Sequence, residues 1–365
     1  MGRQAAEPDH RFGASPPLTI GVEEELLLVD DGRCLVAVAE QVMEELDPAA
    51  RESVSTEIFA AQIELKTGIC GDAGAAAAEL ADLRAAVRAT GVGLLGAGLH
   101  PDDGGEAQLI RKPRYDVVKE DLASLLSTPP SGLHVHVGMP DPETAVWVAN
   151  AMRLRLPALA ALAANSPFRD GSDSGMASAR SAEVRAYPRF EIPREFGDYE
   201  EFLTVADQLI AAARVEDYTY LWWDVRPHPK LGTVEVRGMD VQPTAAANAG
   251  FAALIQALAA REIEHPTSSD LQREALEESY YQAGRYGLEA RLMVDGGEAA
   301  PAREVAARAL EEARPYVADL GEAAALGEIE RILTEGNGAD RQRRAFEQGG
   351  IAAVLDYLAD ATAAD

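Results

Sequence analysis

The sequence predicts an α+β fold in which an antiparallel or mixed sheet is flanked by helices and keeps one face open to a ligand. Three observations support this class. Several short segments alternate apolar and polar residues, as half-buried strands do. Long alanine-rich stretches have a helical composition. Strands and helices do not follow the regular βαβ order of a parallel sheet. The chain of 365 residues, 47% of them hydrophobic, is long enough for one large domain.

The first quarter of the chain predicts three strands and a helix. An Asp-Asp-Gly turn separates the first two strands, as in a β-hairpin. The third strand alternates Gln62, Glu64 and Lys66 with apolar residues. The predicted elements are a strand at 18–29, a turn at 30–32, a short strand at 35–38, a strand at 53–69 and a helix at 73–90.

Residues 91–96 match the pattern GxGxxG. In dinucleotide-binding proteins this pattern follows a strand and opens a helix. Here it follows a helix and leads into the sequence Ala-Gly-Leu-His-Pro. We therefore expect a buried strand with small residues rather than a cofactor loop.

The rest of the chain is mostly helical in pattern, with strands around His134 and Glu235. A Gly/Ser-rich segment at 170–187 predicts a loop. No internal repeat or long linker is present, so we expect a single domain at 18–365 and a disordered tail at 1–17. Helices are predicted at 114–127, 142–164, 198–215 and 244–264, and over nearly all of the chain from about 267.

The charge distribution limits the partners. The formal net charge is −28, and only four of the 33 basic residues are lysines. Nucleic acid and anionic membranes are therefore not expected as partners, because phosphates need compensating positive charge. A lysine-poor, acidic surface is tolerated where salt screens its self-repulsion, which favours a halophilic source. The alternative is an ordinary acidic enzyme encoded by a GC-rich bacterial genome.

Two cysteines, Cys34 and Cys70, do not form a CxxC or zinc-ligand pattern. A disulfide framework is therefore not expected, and the reduced cytoplasm is the predicted location. No run approaches the roughly 18 apolar residues of a membrane span, and the first 17 residues lack the apolar segment of a signal peptide. Assembly into a homo-oligomer stays open.

Ionisable side chains recur at every second residue in the predicted strands, so each set shares one strand face. Carboxylates and imidazoles that face one cavity would repel or desolvate one another unless a divalent cation compensated them. Hard oxygen ligands favour Mg²⁺ or Mn²⁺. The residues concerned are Glu23, Glu25, Glu64, His134, His136, Glu235 and Arg237.

Each of these pairs also has a simpler explanation. Two glutamates on one strand face are commonly the solvated side of an edge strand. His134 and His136 could be hydrogen-bonded core residues, or zinc ligands that lack a third partner nearby. Glu235 and Arg237 could form an exposed ion pair worth under about 1 kcal/mol.

Mg²⁺ and Mn²⁺ sites commonly serve enzymes that use ATP. The sequence contains no Gly-Lys-Ser/Thr P-loop, so metal ions and arginines would have to hold the phosphates of ATP. Three arginines are candidates for binding an anionic substrate group. Arg180 and Arg185 lie in the predicted 170–187 loop, although a plain surface loop is the alternative. Arg226 alternates with Asp224 after two tryptophans, which could be simple core residues.

Five motifs in their observed order resemble the carboxylate-amine ligase family, whose named activity is glutamate-cysteine ligase type 2. The resemblance covers residues 18–360 and implies a glutamine synthetase-like catalytic domain. In that fold a curved, mainly antiparallel sheet carries metal ions on its open concave face. The motifs are Gly21-Val-Glu-Glu-Glu-Leu, Gln62-Ile-Glu-Leu-Lys-Thr-Gly68, Leu133-His-Val-His-Val-Gly138, Trp222-Trp-Asp-Val-Arg-Pro227 and Gly232-Thr-Val-Glu-Val-Arg237.

The resemblance also implies a role for each matched position. Two metal sites, one at the ATP phosphates and one nearer the amino-acid carboxylate, are expected, with Glu235 and Arg237 as the catalytic pair. The implied assignments are Glu23, His134 and Glu235 for the first metal, Glu25 and Glu64 for the second, His136 for an ATP phosphate, Arg237 for the transferring γ-phosphate and Arg180 for the α-carboxylate of glutamate.

The activity that this resemblance implies is the ATP-dependent joining of glutamate and cysteine into γ-glutamylcysteine through a γ-glutamyl phosphate. The small-molecule partners would be ATP, Mg²⁺ or Mn²⁺, glutamate and cysteine. A ligase that uses a different amine is the first alternative. A phosphagen-type guanidino kinase and a regulator without turnover are further alternatives.

Overall fold

The computed structural model describes residues 10–102, 108–320 and 323–364. Within these ranges the centre of the molecule is a seven-stranded sheet, and two small hairpins lie outside it. The strands are β1 (Ile20–Val29), β2 (Val54–Thr56), β3 (Gln62–Lys66), β4 (Gly93–Leu95), β5 (Gly132–Gly138), β6 (Phe168–Arg169), β7 (Ser172–Asp173), β8 (Val225–His228), β9 (Thr233–Asp240), β10 (Arg291–Val294) and β11 (Glu298–Pro301).

Every pairing in the central sheet is antiparallel. The strand order is β2-β3-β1-β5-β9-β8, and β4 pairs with the C-terminal part of β1. The sheet is open, since β2 and β8 form its two ends and do not pair with each other. The predicted α+β class with an open, mainly antiparallel sheet is confirmed.

Helices make up most of the remaining chain. The α-helices are α1 (Ala39–Glu45), α2 (Pro48–Glu52), α3 (Ala73–Arg88), α4 (Pro113–Leu122), α5 (Pro142–Ala163), α6 (Ala179–Val184), α7 (Tyr199–Ala213), α8 (Ala245–Glu264), α9 (Arg273–Tyr286), α10 (Ala302–Leu320), α11 (Leu326–Glu335) and α12 (Gly338–Ala363). Short 3₁₀ helices occur at Ala123–Leu125, Tyr218–Tyr220 and Gly287–Glu289.

The main core lies between the sheet and the two long helices α5 and α8. Alternate residues of the central strands, such as Val22, Val135 and Val236, are fully buried against these helices. Both helices begin at a side-chain cap: Asp141 accepts a hydrogen bond from the backbone N–H of residue 144, and Thr244 accepts one from that of residue 247. Because successive strand residues point to opposite faces, the intervening polar residues lie on the other face.

A buried ion pair joins the sheet to its helical layer. Glu24 and Arg84 are both 0% exposed, and two hydrogen bonds of 2.7 Å link their side chains. Asn248 donates a third hydrogen bond to Glu24, and Arg84 also donates to the carbonyl of Pro243. All partners of the Glu24 carboxylate are therefore inside the protein, which offsets the desolvation of the charge.

Two predicted strands are shorter than expected. The segment 53–69 forms β2 and β3 with a break between them, because Phe59 turns away to bridge Leu109 and is fully buried there. The segment 35–38 makes only one bridge, from Leu35 to Val29, before α1 begins. The predicted strand at 91–96 is present as β4.

The predicted loop at 170–187 is wrong in part, because it contains helix α6. Ser178 caps this helix by accepting a hydrogen bond from the backbone N–H of Ser181. The C-terminal region, expected to be nearly all helix, also contains the β10–β11 hairpin, whose turn uses Gly296 and Gly297 at positive φ. Two adjacent glycines after an aspartate are a turn signal that the sequence already contained.

The predicted disordered tail extends too far. Residues 1–9 lie outside the described residues, but residues 10–17 pack against the domain. Phe12 is buried in the main core, and the backbone N–H of Arg11 donates to the carbonyl of Pro229. Within the described ranges, no helix combines the length and the apolar character that a membrane crossing requires.

We expect Arg84→Met to lower the free energy of unfolding by about 3–5 kcal/mol, because it leaves the Glu24 carboxylate buried without its charge partner. Urea denaturation monitored by circular dichroism measures this change. The double variant Glu24→Gln with Arg84→Met removes the uncompensated charge and should recover part of the loss. A single variant within about 1 kcal/mol of wild type would contradict the role given to this pair.

Candidate active site

The pairing of β1 with its neighbours brings the predicted ligands together. Glu23 lies opposite His134 on β5, and Glu25 lies opposite Glu64 on β3. The Nδ1 atom of His134 is 3.2 Å from Glu23 Oε2, and its Nε2 atom is 3.8 Å from Glu25 Oε1. Three adjacent strands therefore present carboxylate and imidazole groups on the same face, as the two-residue spacing predicts.

Strand β9 extends this face. Glu235 lies opposite His136 on β5 and opposite Arg226 on β8. Its carboxylate accepts hydrogen bonds from Arg226 Nε at 2.7 Å and from Arg237 Nη1 at 2.5 Å. Burial opposes ionisation of Glu235, but the positive charges of Arg226 and Arg237 hold its pKa well below the usual range. Glu235 is therefore a carboxylate at neutral pH.

Two groups of side chains have the arrangement of metal-ligand sets. In each group the possible ligand atoms all lie within 4.8 Å of one another. The first group contains Glu23, His134 and Glu235, and the second contains Glu25, Glu64 and His134. They contain the residues that the family resemblance implied for two metals, and His134, implied for the first metal only, belongs to both groups.

The electrostatics of the site fit a divalent cation. Burial and the negative charge of Glu23 raise the pKa of Glu64, although Lys66 Nζ lies 2.7 Å from its carboxylate. Burial and the charge of Glu64 also raise the pKa of Glu57 well above its usual value. The Nε2 atom of His136 is buried and has no hydrogen-bond partner among the described residues. Crowded carboxylate oxygens beside imidazole nitrogens match the ligand preference of Mg²⁺ or Mn²⁺.

A cavity of about 450 Å³ lies over these side chains. Its volume is sufficient for a small-molecule ligand. Part of the lining is apolar or aromatic and comes from segments outside the charged strands. These residues are Ile58, Phe59, Val118, Leu122, Leu126, Tyr187, Phe190 and Trp222. The two tryptophans predicted as possible core residues thus differ, since Trp222 lines the cavity and Trp223 is in the core.

Several cavity residues were not identified from the sequence. Lys66 continues the alternation of β3, so its position could have been predicted. Ser55 donates a 2.8 Å hydrogen bond to Glu64. Lys112, which precedes α4, and Tyr115, which lies in α4, both donate hydrogen bonds to Thr56. These three reach the cavity through pairing and packing between segments that no local pattern connects.

Arg226 lies in the cavity, but its side chain is largely engaged inside the protein. Besides its bond to Glu235, its Nη1 atom donates to the carbonyl of Leu221 at 2.6 Å. We therefore assign it to orienting Glu235 rather than to direct contact with a substrate. Arg237 has a different environment, since its Nε atom is buried and has no hydrogen-bond partner among the described residues.

The two other predicted substrate-binding arginines do not line the cavity. Arg185 is 2.7 Å from Asp224 and stacks 4.2 Å from the ring centroid of Tyr280. Its position contradicts the predicted substrate contact. Arg180 is 3% exposed and lies against Gly132, where a Cβ would collide with its Nη2 atom. Its Nη1 atom is 3.8 Å from Asp240, and neither Nε nor Nη1 has a hydrogen-bond partner among the described residues.

This chain is similar to known proteins over most of its length. Residues 19–356 match the model of glutamate-cysteine ligase family 2. A Rubrobacter xylanophilus protein with the provisional name glutamate–cysteine ligase 2-3 is 39% identical over 97% of this chain and 99% of its own length. The glutamate–cysteine ligase of Natronomonas pharaonis is 34% identical over 93% of this chain and 94% of its own length.

A crystal structure of glutamate–cysteine ligase from Francisella tularensis in complex with AMP has a similar fold. The TM-score is 0.71 at 14% identity, over 94% of this chain and 88% of the other. At this identity the similarity concerns the fold alone. The resemblance found in the five sequence motifs is confirmed by the family match over nearly the whole chain. The chain belongs to glutamate-cysteine ligase family 2.

Proposed function

We propose that this chain is an ATP-dependent ligase that joins the γ-carboxylate of glutamate to the amine of cysteine, giving γ-glutamylcysteine, ADP and phosphate. The observation that carries the proposal is the convergence of two carboxylate–imidazole groups and Arg237 on one sheet face inside one cavity. Family membership supports the ligase class, and the names of the relatives support the substrate pair.

The first step of the proposed reaction is phosphoryl transfer. The γ-carboxylate of glutamate attacks the γ-phosphorus of ATP, and the bond to the bridging oxygen breaks as ADP leaves. Arg237 faces this step with an unpartnered Nε donor that can bind a phosphoryl oxygen. Arg226 holds the carboxylate of Glu235 in place from the other side. Divalent cations held by Glu23, His134 and Glu235, and by Glu25 and Glu64, would neutralise negative charge on the phosphates.

The second step forms the amide bond. The deprotonated amine of cysteine attacks the carbonyl carbon of γ-glutamyl phosphate, and the phosphate leaves with the electron pair of the broken C–O bond. Positioning of the two reactants side by side supplies much of the rate enhancement for such a step. The apolar part of the cavity, which includes Val118, Leu122 and Phe190, would shield the acyl phosphate from water.

We expect phosphate release from Mg-ATP only when glutamate and cysteine are both present, with an equal yield of γ-glutamylcysteine by mass spectrometry. Replacing cysteine by each other amino acid tests the alternative amines. A guanidino kinase would instead yield a phosphorylated guanidine and no amide. Phosphate release that does not depend on glutamate would overturn the ligase assignment.

The matched variants for this assay are Glu235→Gln and Glu298→Gln. Glu235→Gln keeps the side-chain shape and a hydrogen bond to Arg226, so the fold should persist while turnover falls at least about a hundredfold. Glu298 is exposed on β11, far in sequence from the site, and its variant should retain wild-type activity. Equal activity of the two variants would count against the proposed site.

We also infer a salt-adapted cytoplasmic enzyme, from the net charge of −28 and from Cys34 and Cys70, which are both unpaired in the structure. Screening by salt should relieve the self-repulsion of the acidic surface. The melting temperature and the rate of amide formation should therefore rise together as KCl increases toward molar concentration. Flat or falling curves would remove the halophilic assignment.

A further inference from the structure

A second cavity, of about 510 Å³, shares no lining residue with the active-site cavity. Three arginines line it, contributed by α5, by the segment before α7 and by the start of α9: Arg153, Arg194 and Arg273. The net charge of the chain is −28, so a pocket lined by three arginines is an exception to its overall acidity. Its lining carries three arginines against two glutamates, and this excess of positive charge favours an anionic ligand.

Arg153 is the central feature of this cavity, because it is only 4% exposed. Its Nε atom donates to the carbonyl of Pro193 at 2.7 Å. Among the described residues its Nη groups form no hydrogen bond, and Glu195 supplies the one carboxylate within 4.0 Å, at 3.8 Å. The Nη groups are therefore donors on the cavity lining that an anionic ligand could bind, since charge-assisted hydrogen bonds to an anion are stronger than neutral ones.

The other two arginines of the cavity each form an ion pair with a glutamate. Arg194 is 2.8 Å from Glu201, and Arg273 is 2.9 Å from Glu191. Neither of these glutamates lines the cavity. Burial lowers the pKa of Arg153; the charge of Glu195 opposes this shift, and the positive charges of Arg273 and Arg194 add to it.

The amino terminus of α9 contributes a second, independent feature. Gln272 is the N-cap residue of this 14-residue helix and makes no side-chain capping bond. Gln272, Arg273 and Glu274 all line the cavity. The first backbone N–H groups of a helix have no intrahelical acceptor, and the helix dipole favours negative charge at this end.

We propose that this cavity is a second ligand site that binds a small oxyanion, a phosphate or a carboxylate group, between the Nη groups of Arg153 and the amino terminus of α9. Two glutamates, Glu195 and Glu274, also line it. They limit the site to small anions of low charge, because each further negative charge on a ligand would meet one of these carboxylates. The proposal does not depend on the ligase activity.

Binding of inorganic phosphate tests this site directly. Isothermal titration calorimetry is carried out on the full chain with EDTA and without ATP or amino acids, so the result is independent of turnover. Arg153→Met should weaken phosphate binding at the second site at least about tenfold, because it removes a charge-assisted donor. Competition by malonate, a dicarboxylate, distinguishes the two kinds of ligand. Displacement of phosphate indicates that the site also binds carboxylates, and no displacement indicates a site for phosphate.

Arg273→Glu and Arg314→Glu form a matched pair that does not require a buried substitution. Both arginines are exposed and paired with a glutamate, and both variants change the net charge equally. Phosphate binding should weaken in Arg273→Glu and stay at the wild-type value in Arg314→Glu. Phosphate bound in the active-site cavity stays in all variants, because none of them alters its lining.

The proposal is overturned if wild-type protein shows no phosphate binding beyond that of the variants, or if Arg273→Glu and Arg314→Glu bind phosphate equally. If Arg153→Met fails to fold in a thermal melt, the comparison of the two exposed variants decides the question.

Discussion

Repulsion among like charges is the constraint on which this site depends. Four adjacent antiparallel strands, β3, β1, β5 and β9, present four carboxylates and two imidazoles on one face. Burial opposes ionisation of every carboxylate on this face, and repulsion by Glu23 adds to it at Glu64, whereas the imidazoles hold the pKa of Glu23 and the arginines that of Glu235 well below the usual range. Arg226 and Arg237 pair with Glu235, and Lys66 pairs with Glu64. Each group around His134 contains one further carboxylate, Glu23 or Glu25, that a cation can bind.

The opposite face of β1 carries a glutamate whose charge is compensated entirely by protein groups. Glu24 lies between two of the candidate ligands and points away from them, where Arg84 and Asn248 satisfy it completely. Strand β1 is thereby anchored to the helical layer by a charge that needs no cation. The rigid anchor holds Glu23 and Glu25 at fixed positions, which is a requirement for a preorganised binding site.

The sequence predicted the strand face well and the surrounding cavity poorly. Period-two alternation is a local signal, so Glu23, Glu25, His134 and Glu235 could be placed on one side of their strands without knowledge of the fold. Arg185 contacts Asp224 and Tyr280, which lie far along the chain, and no local sequence pattern predicts these two contacts. Packing between distant segments also decides which helices complete the cavity, and local propensity does not contain that information.

The central claim is that the two carboxylate–imidazole groups hold divalent cations. Crystals grown with Mn²⁺ and measured at the manganese absorption edge test it directly, since anomalous scattering locates each ion independently of any assumed mechanism. The account predicts one peak within coordination distance of Glu23, His134 and Glu235, and a second beside Glu25 and Glu64. Manganese-soaked crystals without a peak at either group, or with peaks only elsewhere, would contradict it.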